Sequence, residues 1–351
     1  MSEIQELRKQ LKLYTDEVRS LRDALEPSRW KQHERLQKVR AEARALADRV
    51  SEYEREQRAP RPEVDEYAAY CRAVAGGERE SDPELLERLR AAVREGAPTT
   101  PDHPRLKDWY HTVELGDGLC STGEFDLRPT VDQAGLPESL KGKIVLDVGT
   151  CDGFWAFELE RRGADRVVAV DIEHFGDFDW LPQVRATKPD RFLDRRMDRG
   201  FWLAHAMRGS RVEHRICSVY ELSPEGLGTF DFVFCGSLLM HLQGPLQALV
   251  RIRSVTGEKA VIVTLLSEEL ERTAPDQPLL RFGHRGPDLG RDHEPQLGAA
   301  VVYWHVNTRG LQELMEYAGF ARTEPLAPVA LAPKDILCSV VTGYPAAQPA
   351  G

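Results

Sequence analysis

Two aspartates and two glycines between residues 147 and 171 have the types and the spacing of a site for a nucleoside ligand. Asp147 follows an apolar run at 144–146, and Asp171 follows a second apolar run 24 residues later. Gly149 and Gly153 lie between them, and glycine tolerates positive φ and lets backbone N–H groups approach a ligand closely. A carboxylate at the second position can accept hydrogen bonds from both hydroxyls of a ribose. The pattern therefore predicts half of a nucleotide-binding unit.

A doubly wound α/β sheet is the element that has to bring these groups together. Apolar runs typical of strands occupy residues 144–146, 167–170, 230–236, 260–265 and 336–342, and we expect a further strand over 212–217. Amphipathic helical spacing follows Gly153 and precedes Gly319. Because ligands of open parallel sheets bind outside the carboxyl ends of the strands, we expect Gly236 and His241 at the same crevice as Asp147.

The glycine turn resembles motif I of the class I S-adenosylmethionine (SAM) methyltransferases. It reads D-x-G-x-C-x-G from Asp147 to Gly153, and not G-x-G-x-x-G, which disfavours a nicotinamide or flavin cofactor. The resemblance implies a Rossmann-like sheet with helices on both faces and S-adenosyl-L-methionine as the cofactor. It also implies that the first acid and the glycines hold the methionine end and that Asp171 holds the ribose. Cys151 departs from the family, which usually has glycine there, and a βαβ unit without a ligand is the alternative.

The same resemblance assigns further cofactor residues. Ser218 and Val219 follow the third strand, where the family contacts the adenine amino group and ring. The family often has Asp at the first of these positions, which weakens the assignment of Ser218. Gly236 ends the fourth strand, which resembles motif IV of the family.

Further segments resemble a narrower family, the bacterial tRNA wobble-uridine carboxymethyltransferases and their relatives. They are WYHTVEL at 109–115, GEFD at 123–126, LMH at 239–241 and YWHVN at 303–307, and the resemblance covers roughly residues 105–345. In that family a lysine two residues after a tryptophan pairs with the extra carboxylate of carboxy-SAM. Here Trp109 keeps the tryptophan and His111 replaces the lysine. Because histidine is largely neutral at pH 7, ordinary SAM and plain methyl transfer are favoured.

Methyl transfer from a sulfonium needs alignment, and a base where the acceptor is a hydroxyl. We expect His111 and His241 as candidate catalytic bases, because both lie on segments expected at the crevice. Aromatic residues that we expect to wall the acceptor are Trp109, Tyr110, Phe125, Tyr303 and Trp304. Packing without any role in proton transfer or acceptor binding is the alternative for each of them.

The chain before residue 105 has a different pattern. Apolar residues alternate spacings of three and four over 4–25 and 36–53, which is typical of a coiled coil, and Pro27 interrupts them. We expect a coiled-coil segment over 1–58, a helical linker region over 59–104, the methyltransferase domain over 105–345 and a tail over 346–351. Because such an apolar stripe must be buried, we expect a homo-oligomer through the N-terminal helices. A hairpin folded back on its own chain is the alternative.

Composition restricts the partners. The net charge is −10, which does not favour a protein that grips a phosphate backbone. Six cysteines occur without a C-x-x-C pair, so we expect no metal site. Residues 281–294 hold His, Asp and Arg among glycines, and a solvated lid is favoured there over a metal site. No apolar run approaches the roughly 20 residues of a membrane span, and we expect a cytoplasmic protein without membrane contact.

The sequence thus predicts a SAM-dependent methyltransferase with a small-molecule acceptor, and a natural-product or sugar-like hydroxyl is the expected target. tRNA is the alternative acceptor. A non-catalytic coiled-coil assembly protein with a SAM-like fold is the alternative outside enzymes, and the intact pair of acids disfavours it.

Overall fold

A computed structural model describes most of the chain after residue 108. The described residues are 9, 10, 12, 13, 39, 62–78, 80, 82–84, 87, 109–116, 118–121, 123–186, 188, 190–283, 302–331 and 336–346. The chain divides into two compact units, Met1–Glu63 and Val64–Gly351. Apart from five isolated positions, the coiled coil expected over 1–58 lies outside the described residues, as do residues 284–294 of the expected lid and the tail from 347. The expected domain boundaries and the expected oligomer stay predictions.

The strands of the described second unit are short outside the central sheet and longer within it. In chain order they are β1 Trp109–His111, β2 Glu114–Gly116, β3 Leu119–Cys120, β4 Gly123–Phe125, β5 Ile144–Val148, β6 Arg166–Asp171, β7 Glu213–Ile216, β8 Phe230–Gly236, β9 Thr256–Leu265, β10 Leu280–Phe282, β11 Trp304–Val306, β12 Arg322–Leu331 and β13 Ile336–Tyr344.

Helices connect these strands. They are α1 Pro62–Ala75, α2 Phe154–Arg161, α3 Pro182–Arg185, α4 Asp190–Leu193, α5 Arg199–Arg208, α6 Pro224–Leu227, α7 Pro245–Val255, α8 Glu268–Thr273 and α9 Thr308–Tyr317. Single 3-10 turns occur at Val131–Gln133, Phe175–Asp177, Val219–Glu221 and Leu239–His241. The last three follow β6, β7 and β8 directly, so they line the edge where the strands end. Among the described residues, no helix is long and apolar enough to cross a membrane.

The central sheet has the order β12-β13-β9-β8-β5-β6-β7. Strands β5 to β9 pair in parallel, whereas β13 is antiparallel to both of its neighbours. Alternate residues of β5 enter two separate hydrophobic clusters, Val145 on one face and Leu146 on the other. Helices α2 and α5 cover the first face, and α7 and α9 cover the second. The expected Rossmann-like sheet with helices on both faces is confirmed.

The outer strand β12 was not predicted from the sequence. It contains Pro325 and Pro328, and two prolines so close together indicate a loop. β12 pairs on one side only, with β13, and its register shifts between Leu326 and Val329. Proline is compatible with an edge strand because the missing N–H then interrupts no ladder on the open side.

Candidate functional site

The turn after β5, residues 149–153 (the motif turn), folds the motif residues over the end of the sheet. Gly149 and Gly153 have φ of 79° and 89°, in the left-handed region. A Cβ on Gly153 would lie 2.4 Å from Cε2 of Phe157, so α2 can start there only with glycine at this position. A Cβ on Gly149 would lie 3.1 Å from Cδ2 of Leu238. The two predicted glycines are therefore needed for both backbone conformation and close packing.

Cys151 adopts a left-handed backbone conformation of the kind that glycine favours. Its φ is 51°, which costs an L-residue roughly 1–2 kcal/mol. Its main-chain N–H donates to Oδ2 of Asp171 at 2.7 Å. Burial and the neighbouring carboxylates of Asp152 and Asp171 raise the pKa of the Cys151 thiol well above its usual value. Cys151 thus adopts a backbone conformation that glycine favours, and its N–H orients the carboxylate of Asp171.

Asp171 ends β6 with its carboxylate fixed at the edge of the sheet. Oδ1 accepts the main-chain N–H of Ile172 at 2.8 Å, and Oδ2 accepts that of Cys151. Burial raises the pKa of Asp171 to about 6, while these two donors lower it. The carboxylate is therefore oriented by backbone donors beside an open cavity.

Asp147 is buried in a different way. Its side chain is fully buried, and neither of its oxygens makes a hydrogen bond of good geometry within the described residues, although the Thr150 hydroxyl and the Ala156 N–H lie near enough to lower its pKa. The hydroxyl of Thr150, two residues beyond β5, is also buried without such a hydrogen bond in that part of the chain. Burial raises the pKa of Asp147 to about 7. Unpartnered buried polar groups are costly, and a cationic ligand group that donates hydrogen bonds would remove that cost.

A cavity of about 220 Å³ lies at the carboxyl ends of β5 to β8. Of the predicted site residues, it is lined by Gly149, Asp171, Ser218, Val219 and His241. Asp147, Gly153 and Gly236 do not line it. The strand order thus brings residues from four strand ends to one cavity, as expected for an open parallel sheet.

The remaining cofactor candidates have packing and capping roles as well. The Ser218 hydroxyl accepts the main-chain N–H of Tyr220 and caps the turn Val219–Glu221. The side chain of Val219 is buried beside it. A Cβ on Gly236 would lie 2.8 Å from Nε1 of Trp155, so this glycine permits contact between β8 and α2.

His111 is held by a carboxylate that the sequence analysis missed. Its Nδ1 lies 2.6 Å from Oδ1 of Asp152, and its main-chain N–H donates to Oδ2 of Asp152 at 2.7 Å. Both side chains are buried, with 7% of His111 and 3% of Asp152 exposed. His241, by contrast, belongs to the turn Leu239–His241 at the wall of the cavity. The two candidate bases therefore occupy different surroundings.

The expected aromatic wall is split into two groups. Trp109, Tyr110 and Phe125 accompany His111 on the β1 and β4 pair, where the rings of Tyr110 and Phe125 are 5.0 Å apart. Tyr303 and Trp304 contact the turn that follows β8 through hydrogen bonds to Met240 and Leu242. The Tyr303 hydroxyl donates to the main-chain oxygen of Asp179 at 2.8 Å, and Nε1 of Trp304 donates to the main-chain oxygen of Leu242 at 2.9 Å.

Asp179 is a second residue that the sequence analysis missed. It lines the cavity, and its Oδ2 accepts the Tyr220 hydroxyl at 2.6 Å and the main-chain N–H of Gln243 at 2.7 Å. Its Oδ1 accepts Nε2 of Gln243 at 2.7 Å. Asp179 therefore joins the segments that follow β6, β7 and β8. It lies in an irregular segment, and no residue spacing in the sequence indicates a role for it.

Two curated proteins match part of the chain in sequence, and both are methyltransferases. The tRNA U34 carboxymethyltransferase of Helicobacter acinonychis (strain Sheeba) is 26% identical over 151 residues, 42% of this chain and 50% of that protein. The magnesium-protoporphyrin O-methyltransferase of Rhodobacter capsulatus is 30% identical over 156 residues, 44% of this chain and 55% of that protein. With the strand order above, these matches decide the fold. The chain has the fold of a class I SAM-dependent methyltransferase.

This fold confirms the recognition made from the motif turn. The chain spans about half the length of the curated relatives it matches. No family model matches the chain. Among solved structures, the N-terminal domain of EvdMO1 with SAH bound is 20% identical and covers 75% of this chain and 96% of that one, with a TM-score of 0.47. The same domain in the presence of SAH and D-fucose is 21% identical at the same coverage, with a TM-score of 0.46. Within the described part of the chain, no group of three His, Cys, Asp or Glu residues suits a metal ion.

Proposed function

We propose that the chain is a SAM-dependent methyltransferase that moves a methyl group to a small-molecule acceptor, with a hydroxyl as the target. The observation that carries this proposal is the pair of acids at the ends of β5 and β6. Asp171 is held by backbone donors at the cavity, and Asp147 is buried without a hydrogen bond of good geometry in the described residues. A nucleoside with a cationic tail satisfies both acids.

S-adenosyl-L-methionine is the cofactor, and the residues present fit it. Asp171 would hold the ribose hydroxyls, with Ser218 and Val219 at the adenine. Asp147 and the motif turn would hold the methionine end, whose ammonium group supplies the hydrogen-bond donors that Asp147 lacks. The cofactor contributes a methyl group activated by a positively charged sulfur. The protein contributes the alignment of that methyl group with the acceptor.

The acceptor region of this proposal is the edge beside the motif turn. His111 and His241 are the candidate bases, and Tyr110 and Phe125 offer apolar surface next to His111. The names of the two curated relatives carry a tRNA and a magnesium-porphyrin acceptor, and tRNA is the alternative acceptor here. A cytoplasmic location and a homo-oligomer formed through residues 1–58 belong to the same proposal.

Calorimetry with SAM tests cofactor use. We expect wild type to bind SAM and Asp171→Asn to bind roughly 100-fold more weakly, because hydrogen bonds from two ribose hydroxyls to a charged group are lost. The matched control is Asp276→Asn, which changes an exposed aspartate that does not line the cavity. Absence of SAM binding by wild type would refute the enzyme, and equal binding by Asp171→Asn would refute the ribose assignment.

Incubation with methyl-labelled SAM tests the acceptor. One arm contains a small-molecule metabolite extract, and the other contains bulk tRNA. We expect label in the small-molecule fraction, in a product that is stable to base as an ether is. Label in tRNA alone would show that tRNA, and not a small molecule, is the acceptor. If wild type binds SAM but neither fraction is labelled, the result would favour the non-catalytic assembly protein.

A further inference from the structure

His111 and Asp152 form a buried pair next to the proposed cofactor site. Asp152 lies in the motif turn directly after Cys151, whose N–H holds the ribose acid Asp171. Both oxygens of Asp152 are used on a single residue, one by the ring Nδ1 of His111 and the other by its main-chain N–H. The motif turn thus connects the cofactor acid and the imidazole through two successive residues.

The double contact fixes the imidazole in one orientation. The main-chain bond of 2.7 Å holds β1 against the motif turn, and the ring bond of 2.6 Å sets the rotation of the side chain. The ring of Phe154, the first residue of α2, lies 5.4 Å from the imidazole by ring centroids. An ionised carboxylate accepts hydrogen bonds and donates none. With Asp152 ionised, Nδ1 carries the proton, and in the neutral ring Nε2 is then the basic nitrogen.

We propose that Asp152 is a positioning residue that holds His111 as the proton acceptor for a hydroxyl-bearing acceptor molecule. The inference rests on the proposed methyltransferase function and names the chemical class of its acceptor. As the acceptor oxygen bonds to the methyl carbon, the carbon–sulfur bond breaks with its electron pair going to sulfur. The hydroxyl proton goes to Nε2 of His111, and Asp152 stabilises the resulting imidazolium.

The charged groups around His111 suit this role. The carboxyl group of Asp152, in the motif turn, contacts the imidazole, and that of Asp147, on β5, interacts with it electrostatically. Tyr110, the neighbour of His111 on β1, has its ring 4.7 Å from the imidazole by ring centroids. Glu124 on β4 and Cys151 both raise the pKa of Tyr110. Burial keeps Tyr110 protonated by raising its pKa. A cation formed on His111 therefore pairs directly with the Asp152 carboxylate.

Asp152→Asn tests the inference with little change in shape. The main-chain N–H of His111 needs an oxygen, so the amide NH₂ should face Nδ1 and force the proton onto Nε2. Long-range ¹H–¹⁵N NMR reports the tautomer directly. We expect wild-type His111 to have Nδ1 protonated and Nε2 free, and Asp152→Asn to have the reverse. A wild-type His111 with Nε2 protonated would overturn the inference without any variant.

The second readout is the rate of methyl transfer. It is measured with the fraction, small-molecule extract or tRNA, that takes the label from SAM. Asp152→Asn should lower kcat roughly 10³-fold, leave KM for SAM within about threefold, and remove the acid limb of the pH profile. Asp276→Asn is the control, with an exposed carboxylate. A loss below tenfold with an unchanged profile would reject Asp152 as a positioning residue.

Calorimetry separates this inference from the proposed function. If wild type binds SAM and transfers label but Asp152→Asn keeps its rate, only the inference fails. If wild type does not bind SAM, the proposed function fails, whatever the tautomer of His111.

Discussion

The motif turn and the turn after β8, residues 237–242 (the β8 turn), meet at the same edge of the sheet but are built differently. Each contains a non-glycine residue with positive φ, Cys151 in the first and Ser237 in the second. The motif turn is held by carboxylates, through the bonds of Cys151 to Asp171 and of His111 to Asp152. The β8 turn is held by neutral donors, including Ser237 N–H to the oxygen of Val263.

This difference indicates a division of roles. Buried charges in the motif turn are costly to the fold and suit the binding of a cation and the movement of a proton. Neutral backbone and aromatic contacts in the β8 turn suit a fixed cavity wall. Changes to the carboxylates of the motif turn and of β5 should therefore alter binding and pH dependence, whereas changes to the neutral side chains packed on the β8 turn should mainly alter stability.

Gly153→Ala should have the largest effect on stability. The new Cβ would lie 2.4 Å from Phe157 at a φ of 89°, so backbone strain and overpacking add to a loss of about 4 kcal/mol in the free energy of unfolding. Gly163→Ala is the matched control, because its φ is 84° and its Cβ would meet nothing within 4 Å. That control should lose about 1 kcal/mol in urea unfolding. Equal losses would show that packing at the motif turn is unimportant.

Asp147→Asn should change how stability depends on pH. Burial raises the pKa of Asp147 to about 7, above its unfolded value, so the folded state binds this proton more tightly. Stability from this group is complete below about pH 4 and is lost as pH rises to about 7. Between pH 4 and pH 8, wild type should lose on the order of 3 kcal/mol relative to the variant. Parallel profiles in thermal unfolding would contradict the burial of a titrating carboxyl at this position.

Tyr303→Phe tests the neutral contacts around the β8 turn, because the N–H of Tyr303 donates to the oxygen of Met240 in that turn. The hydroxyl donates to the oxygen of Asp179 and accepts the N–H of Leu181, so its removal should lower the free energy of unfolding by about 1.5 kcal/mol. The affinity for SAM should stay within about threefold, because no charge is removed. Tyr317→Phe is the control on a 74% exposed side chain. A larger loss of affinity than of stability would give Tyr303 a binding role and remove the contrast between the turns.

Cys151→Gly and Ser237→Gly should have the smallest effects. Each relieves roughly 1 kcal/mol of backbone strain and adds a similar amount of unfolded-state entropy. Both variants should unfold within about 0.5 kcal/mol of wild type. Calorimetry should give unchanged affinity for SAM in Cys151→Gly, because the N–H that holds Asp171 remains. Weaker SAM binding in that variant would show that the thiol itself contacts the cofactor.

The motif turn was predictable because its signals are local. The two acids, the glycines and the apolar runs of β5 and β6 lie within 28 residues of chain, from 144 to 171, and each follows from backbone conformation or burial. The pair of His111 and Asp152 was not predictable in this way. Its members are 41 positions apart, and neither has a spacing that indicates the other.

The segment between β6 and β7 shows the same limit. Its described residues before α5 form short helices, and Asp179 contacts Tyr220 and Gln243, which are 41 and 64 positions away. The edge strand β12 was missed for the opposite reason, because its prolines indicate a loop until the open side of the sheet is known. Tertiary contacts decide both cases.

The cysteine in the motif turn has a consequence for chemical selectivity. A thiolate is a much stronger nucleophile than a thiol, and one placed beside a sulfonium would take the methyl group and inactivate the protein in a single turnover. Burial and the carboxylates of Asp152 and Asp171 hold the pKa of Cys151 well above its usual value, so the group stays protonated at neutral pH. Under the proposed function, the same negative charges that would orient the ribose and the imidazole would also keep Cys151 from taking the methyl group.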